Sequence, residues 1–394
     1  MAKLYLIGNG FDLNIGLKTS FSQFKTYYYS NLEKYLKQNH YKRYKRKDGS
    51  IYSDVERVFG NSDNYYILED DFWNSFEMVL AYIIFSDLNN LVSNTCLGDR
   101  KLTKILNNAY DILHGMFAEW ISSIVIPELS TSFQFDEDSY FISFNYTETI
   151  ESLFHINNTN IYHLHGLRNN PDTIVFGHTL HPHNPPEELL AYPDRMHHRL
   201  YDVAKFRQKF DKQAITHYLQ WRCYADCANW PLSDINDIYV LGHSYNVADS
   251  IYYLLLSNLF RPAESQASLQ KKPGTEMDYI DRVLAKFNHE MNYDSFLFGE
   301  RFDLEESEII NQITFDEIFG NLDYMQLAKE ISKQLNIDTP YINNPFSYYD
   351  NNPHWHLYCH SNEDVIHAQD LMDSLDIAKN DYSIYRTIED CIAN

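Results

Sequence analysis

Residues Lys3-Leu-Tyr-Leu-Ile7-Gly8-Asn9-Gly10-Phe11-Asp12 pass from a short apolar run, through a glycine turn, into a helical pattern. The run lacks the alternation of a strand with one wet face, so it reads as a strand buried on both faces, the kind found in parallel sheets. The same grammar returns twice. Tyr140 to Ser143 precedes Phe144-Asn145-Tyr146-Thr147, and Ile238 to Leu241 precedes Gly242-His243-Ser244. Repeated strand-to-helix units predict an α/β fold, a Rossmann-like parallel sheet flanked by helices. Further strands are expected at Asn160 to Leu164, Thr173 to Phe176 and His356 to Cys359, with a closing helix from Glu363.

The sheet-forming segments fall at 1–20, 138–182, 235–260 and 353–394, and together they read as one nucleotide-binding domain. Large helical insertions are expected between them, at 21–137, 183–234 and 262–352. Within the first insertion, Phe72, Trp73, Phe76, Val79, Leu80 and Ile83, then Ile105, Ile112, Met116, Trp120, Ile121 and Val125, recur at the spacing of a helix face. Aromatics at that spacing build cores, so Trp73 and Glu77 read as packing residues rather than catalytic ones.

Composition narrows the function. A net charge of −23 repels phosphate backbones, which disfavours sequence-independent nucleic-acid binding by the chain as a whole, and no sequence-specific nucleic-acid partner is expected either. One basic run, Lys42 to Lys47, could hold phosphate, but before Asp48-Gly49 it reads more simply as a solvated turn. The five cysteines, at 96, 223, 227, 359 and 391, make no paired C-x-x-C spacing, so neither a disulfide framework nor a zinc knuckle is indicated. A reducing cytoplasm fits. No apolar stretch reaches the roughly 18 residues of a membrane span, and no signal peptide is read at the start. Aromatic content of 15% and the helical insertions could support a homo-oligomer, although no heptad seam specifies one.

Ligands of open α/β sheets bind where loops leave the carboxyl ends of the strands, and glycines there let backbone amides approach a phosphate. Gly8, Asn9, Gly10, Phe11 and Asp12 meet that description, although the third glycine of a dinucleotide fingerprint falls late, at Gly16. The turn equally suits a tight bend needing positive φ. Asn145, at a strand end, can hold a ribose hydroxyl or a water; the same segment also suits a plain helix start, with Thr147 capping and Glu148 and Glu151 meeting the helix dipole. His163 and His165 fall on one side of a strand by alternation, which offers a general base before Gly166. With His178, His181 and His183 close behind, the histidine density also permits a metal site, though not at the spacing of a closed zinc site.

Taken in order, these elements resemble the bacteriophage abortive infection AbiH family. The resemblance rests on Gly8-Asn-Gly-Phe-Asp12-Leu13, Phe72-Trp-x-x-Phe76-Glu77, Ser143-Phe-Asn-Tyr-Thr147, His163-x-His165-Gly166, Ile174-Val-Phe-Gly177-His178, and Leu241-Gly-His-Ser244 with Asp249. It extends to Trp355-His-x-x-x-His360-Ser361. More distantly, the same order is similar to the sirtuin-like NAD-binding superfamily, with its Gly-Ala-Gly-x-Ser turn, Thr-x-Asn-x-Asp strand end, His-Gly, and late Gly-x-Ser followed by Asp. That likeness implies NAD as ligand or substrate; no metal is expected, since the sirtuin zinc ribbon is absent for want of paired C-x-x-C spacings, which also argues against protein deacetylation. It places Gly8 and Gly10 at the phosphates, Asn145 on the nicotinamide ribose, His165 as catalytic base, and Gly242, His243, Ser244 and Asp249 along the adenosine side. Two residues depart from it. Asp12 stands where the superfamily has Ser, and Thr147 stands where it has Asp, so Asp12 is expected to restore the missing charge from another loop.

The resemblance thus implies an antiphage defence protein, an NAD glycohydrolase that stays off until a trigger, such as a phage-encoded one, acts. Two rivals remain on the sequence alone. One is a non-catalytic nucleotide-binding sensor, favoured by Thr147. The other is a metal-dependent nuclease built on His163, His165 and His178.

Overall fold

The computed structural model describes residues 2–60, 99–128, 133–177 except 137, 214–243, 249–260 and 351–393 except 376, with residues 68, 72, 73, 76, 209, 245, 333 and 349. The chain divides into two compact units, Met1–Ile15, Ile126–His165 and Gln213–Asn394 forming one, Gly16–Val125 and Gly166–Lys212 the other.

The first unit is built on a six-stranded sheet. Its strands are β1 (Ala2–Ile7), β4 (Ser139–Ser143), β5 (Ile161–His163), β6 (Ile235–Leu241), β7 (His354–Tyr358) and β8 (Tyr382–Tyr385), in the order β5-β4-β1-β6-β7-β8. Every pairing is parallel. The chain therefore builds outward from β1 to one side, returns, and builds outward on the other, as in a doubly wound sheet. Its switch point lies between β1 and β6, the two strands whose apolar runs are almost wholly buried. Helices α1 (Asn9–Asn14), α5 (Thr149–Phe154), α6 (Ala214–Cys227), α7 (Ser250–Leu259), α8 (Asn362–Ser374) and α9 (Ile388–Ala393) belong to this unit.

Stacked rings tie five strands together, four of them in register, while Tyr385 stands two residues beyond Ser383, the partner of His356. Phe141, Tyr5, Tyr239 and His356 stack in succession at centroid spacings of 5.1, 4.7 and 4.3 Å, and Tyr385 continues the row at 5.8 Å. Adjacent strands lie about 4.8 Å apart, which is the stacking distance of flat rings, so one aromatic per strand makes a continuous ladder. His356 is held edgewise as well, Nε2 against Asp237 Oδ1 at 2.9 Å and Nδ1 against the Tyr385 hydroxyl at 3.1 Å. Burial lowers its pKa despite the Asp237 contact.

The second unit holds α2 (Phe21–Gln38), a hairpin of β2 (Tyr44–Lys45) and β3 (Ile51–Tyr52), α3 (Asp54–Phe59) and α4 (Asp99–Ser123). The buried face of α4 is Ile105, Ile112, Met116, Trp120 and Ile121, as its periodicity predicts. Val125, assigned to the same face, lies past the helix end and is 81% exposed. Phe24 packs edge-on against Trp73, Phe76 and Phe117 at 5.7, 5.9 and 5.2 Å, an aromatic core of the kind expected there. Glu77, Val79, Leu80 and Ile83 lie outside the described residues.

Two expectations fail. Thr173 to Phe176 forms no strand, because Pro171–Thr173 closes a 3-10 turn and Phe176 then turns onto Phe76 and Phe117. Strand β8 went unread because its Tyr-Ser-Ile-Tyr sequence is short and half-buried throughout, an edge without an apolar run. Among the described residues no helix is long and apolar enough to cross a membrane.

Candidate functional site

The carboxyl ends of β1, β4, β5 and β6 meet in the first unit. Ile7 sits opposite both Ser143 and Leu241, and Ser143 sits opposite His163. The ladder runs one step past each strand, with the Phe144 amide donating to the Ile7 carbonyl at 2.9 Å and the Gly8 amide to the Leu241 carbonyl at 2.9 Å.

Here the glycines serve close packing. A Cβ on Gly8 or on Gly10 would lie 2.7 Å from the Gly242 carbonyl oxygen, and one on Gly242 would lie 1.9 Å from the Phe11 nitrogen. Gly242 also takes a φ of +71°, which glycine alone adopts cheaply. Gly8, by contrast, is extended at φ −105°, so the turn is not a positive-φ bend. The Gly10 amide donates to Gly242 at 2.6 Å and the Phe11 amide to Gly8 at 3.0 Å. The amides of Gly8, Gly10 and Phe11 are thus engaged inside the fold. Asn9 is exposed at the start of α1, and Phe11 is core, 5.9 Å from Phe154.

Helix α1 turns Asp12 inward, where it is only 1% exposed. Thr147 Oγ1 donates to its Oδ2 at 2.5 Å and lies 2.9 Å from Thr149 Oγ1. Burial pushes the Asp12 carboxyl up to about 6, against the opposing pull of Thr147, Thr149, Asn145 and His163. Thr147 does not cap a helix: α5 begins at Thr149, its N-cap is Glu148, and no side-chain cap bond forms. The hydroxyl is committed to Asp12 instead.

Asn145 follows β4 and is 4% exposed. Its amide nitrogen donates to Ser143 Oγ at 3.2 Å, and its carbonyl faces His163 Nδ1 at 3.3 Å. Among the described residues, no well-formed hydrogen bond completes either polar atom of its side chain or Oδ1 of Asp12, all of them buried, although the Asn145 side chain lies near enough to Asp12 to favour its charged form. A buried amide or carboxylate left this way costs a few kcal/mol, roughly 1–3 for each group, unless a ligand or water completes it. These three atoms can bind adjacent hydroxyl groups, two as acceptors and one as donor.

The two histidines of His163-Leu-His165 diverge. Strand β5 ends at His163, so alternation does not reach His165. His163 Nε2 meets Glu151 Oε1 at 2.7 Å, whereas His165 Nε2 lies 3.8 Å from Asp249 Oδ1. The other oxygen of Asp249 lies 3.7 Å from His243 Nε2, so one carboxylate stands between two imidazoles from different loops. The Phe144 ring meets all three neighbouring rings edge to face, His165 at 5.4 Å, His243 at 4.6 Å and Tyr252 at 5.4 Å.

Gly166, in the second unit, has a φ of +83°, and a Cβ there would lie 2.1 Å from the Thr173 carbonyl oxygen, so the turn itself demands glycine. Ser244, His178, His181 and His183 lie outside the described residues. Among those described, no group of three or more residues could hold a metal ion. The sequence reading missed the roles of Glu151, which meets His163 from the helix before β5, and of Tyr252, which meets Phe144 from the helix after β6.

No curated protein and no solved structure matches the chain. The model of the bacteriophage abortive infection AbiH family does match it, over residues 4–269, more than half of its 394 residues and a span that includes every site residue named above. The chain belongs to the bacteriophage abortive infection AbiH family.

Proposed function

We propose that this abortive infection protein binds NAD at the carboxyl rim of its sheet and, once triggered, hydrolyses the nicotinamide glycosidic bond. The observation that carries the reading is the pairing of two unsatisfied buried groups, the Asn145 side-chain amide and Asp12 Oδ1, beside the switch point of a doubly wound sheet. A ribose offers adjacent hydroxyls to such groups. The distant likeness to sirtuin-like proteins supports the same ligand.

In this reading Asn145 holds the ribose and the attacking water, and ionised Asp12 stabilises the oxocarbenium-like state as the C1′–N bond breaks and neutral nicotinamide leaves. The water oxygen bonds to C1′ and its proton passes to His165, whose imidazolium faces the Asp249 carboxylate. Nicotinamide and ADP-ribose are the products. Because the amides of Gly8, Gly10 and Phe11 are already engaged, the phosphates fall to other groups on the rim. The test is NAD content in phage-infected cells. Cells carrying the wild-type chain lose NAD, and cells carrying Asn145→Ala or His165→Ala do not; NAD loss with either variant refutes the roles assigned here.

A further inference from the structure

The basic run of the second unit is not a bare turn. Lys42 to Lys47 contains β2, which with β3 makes a two-stranded hairpin in the register Tyr44 to Tyr52 and Lys45 to Ile51. Five of the chain's 32 basic residues occupy six consecutive positions here, in a protein of net charge −23. Lys42, Arg43, Lys45 and Lys47 are exposed.

The hairpin is braced from within. Tyr44 and Tyr52 stack across the strands at 5.1 Å, with Lys42 4.5 Å above Tyr44 and Arg46 5.4 Å above Tyr52. Arg57 of α3 donates to the Tyr44 hydroxyl at 2.6 Å and to Asp54 at 2.8 Å, which staples the hairpin to the helix. Among the described residues, the acids near the hairpin do little to cancel Lys42, Arg43 and Lys45. Asp48 accepts from the Ser50 amide and hydroxyl at 2.9 and 2.7 Å, and Asp54 is held by Arg57, Tyr44 and Asn108. The Arg43–Glu33 pair is exposed at 3.6 Å, and such pairs are screened and weak.

We propose that this hairpin docks the phosphate backbone of a nucleic acid, without reading its sequence. A two-stranded ribbon fits a groove of the duplex or lies along a single strand, and pre-set cations lose little freedom on binding. An anionic membrane fits less well. The hairpin carries no exposed large hydrophobic side chain to insert, and a flat anionic surface would meet the surrounding acidic protein as well as the cations.

The inference is independent of the NAD reading. It is tested with the full-length protein and labelled random-sequence oligonucleotides, single-stranded and duplex, by fluorescence anisotropy across salt. Four phosphate contacts give a slope of about −3 to −4 in log affinity against log salt, or about a hundredfold loss between 50 and 200 mM. The variant Lys42→Gln/Arg43→Gln/Lys45→Gln/Lys47→Gln should bind at least about tenfold more weakly at 50 mM, with its slope flattened by about 3. Its circular dichroism should be unchanged, because the four side chains are exposed. The control Lys18→Gln/Lys101→Gln/Lys104→Gln/Lys379→Gln removes equal charge from exposed positions elsewhere and should bind like wild type. The proposal is overturned if wild type binds no oligonucleotide, if the hairpin variant binds as well as wild type, or if the control weakens equally. Hairpin-dependent binding to phosphatidylserine vesicles but not to oligonucleotides overturns it too.

Discussion

Thr147 Oγ1 donates to Asp12 Oδ2 at 2.5 Å, joining the loop after β4 to the helix after β1 across 135 positions of sequence. The Thr147 hydroxyl thereby orients a buried carboxylate supplied from α1.

That hydrogen bond favours the ionised form of Asp12, against burial. Thr147→Val keeps the shape and removes the donor, so the Asp12 pKa should rise further above about 6. NAD affinity that needs the charged form would then fall away at higher pH than in wild type, while Thr147→Ser would follow wild type. Calorimetric affinities measured between pH 5 and 8 check this; an acid limb that does not move in Thr147→Val contradicts it.

Asp12 should also cost the fold stability. Its folded pKa, about 6, exceeds the unfolded value of 3.8, so the folded state holds the proton more tightly between those values. Its contribution is fully present below 3.8 and is lost as pH rises through about 6. Asp12→Asn should therefore be more stable than wild type at pH 8 by on the order of 3 kcal/mol, a gain that largely vanishes at pH 3.5. Urea denaturation at the two pH values measures the difference. Equal gains at both would place the cause outside ionisation.

His356 has the opposite sign. Burial holds its pKa below the ordinary 6.5, so the unfolded chain takes up the proton first as pH falls below that value, and stability drops with it. His356→Phe keeps a ring between Tyr239 and Tyr385 and should lose less stability than wild type as pH is lowered from 7 to 5. Thermal melts across that range decide it; parallel losses would show that His356 does not titrate on unfolding.

The switch point tolerates no side chain at Gly242. A methyl group there would meet the Phe11 nitrogen at 1.9 Å, and the φ of +71° would be strained besides. Gly242→Ala should cost about 3 kcal/mol or more, or leave the protein insoluble. A folded Gly242→Ala with unchanged melting temperature would refute this packing of β1 and β6.

The sheet was legible in the sequence because its central strands are buried on both faces, so Leu4 to Ile7 and Ile238 to Leu241 stand out as unbroken apolar runs. The edge strand β8 gave no such signal, and Val125 and Phe176 shared the hydrophobicity of elements to which they do not belong. In the site, Asn145 and Asp12 could be named because strand ends and glycine turns have sequence signatures. The partners His163–Glu151 and His165–Asp249 could not be paired, because the first depends on how the helix before β5 sits against that strand and the second on the path of the chain after β5 ends, neither of which neighbouring residues encode. The glycines were found for the wrong reason. Spacing suggested phosphate contact or a positive-φ bend, whereas the need at Gly8 and Gly10 is the nearness of Gly242, a residue more than two hundred positions away.

The most direct test is a calorimetric titration of NAD into the purified full-length chain and into Asn145→Ala. Saturable binding by wild type, weakened at least about tenfold in the variant by loss of roughly 1.4 kcal/mol or more, is the expected result. No binding by wild type, or the same affinity in both proteins, would contradict a nucleotide site at Asn145.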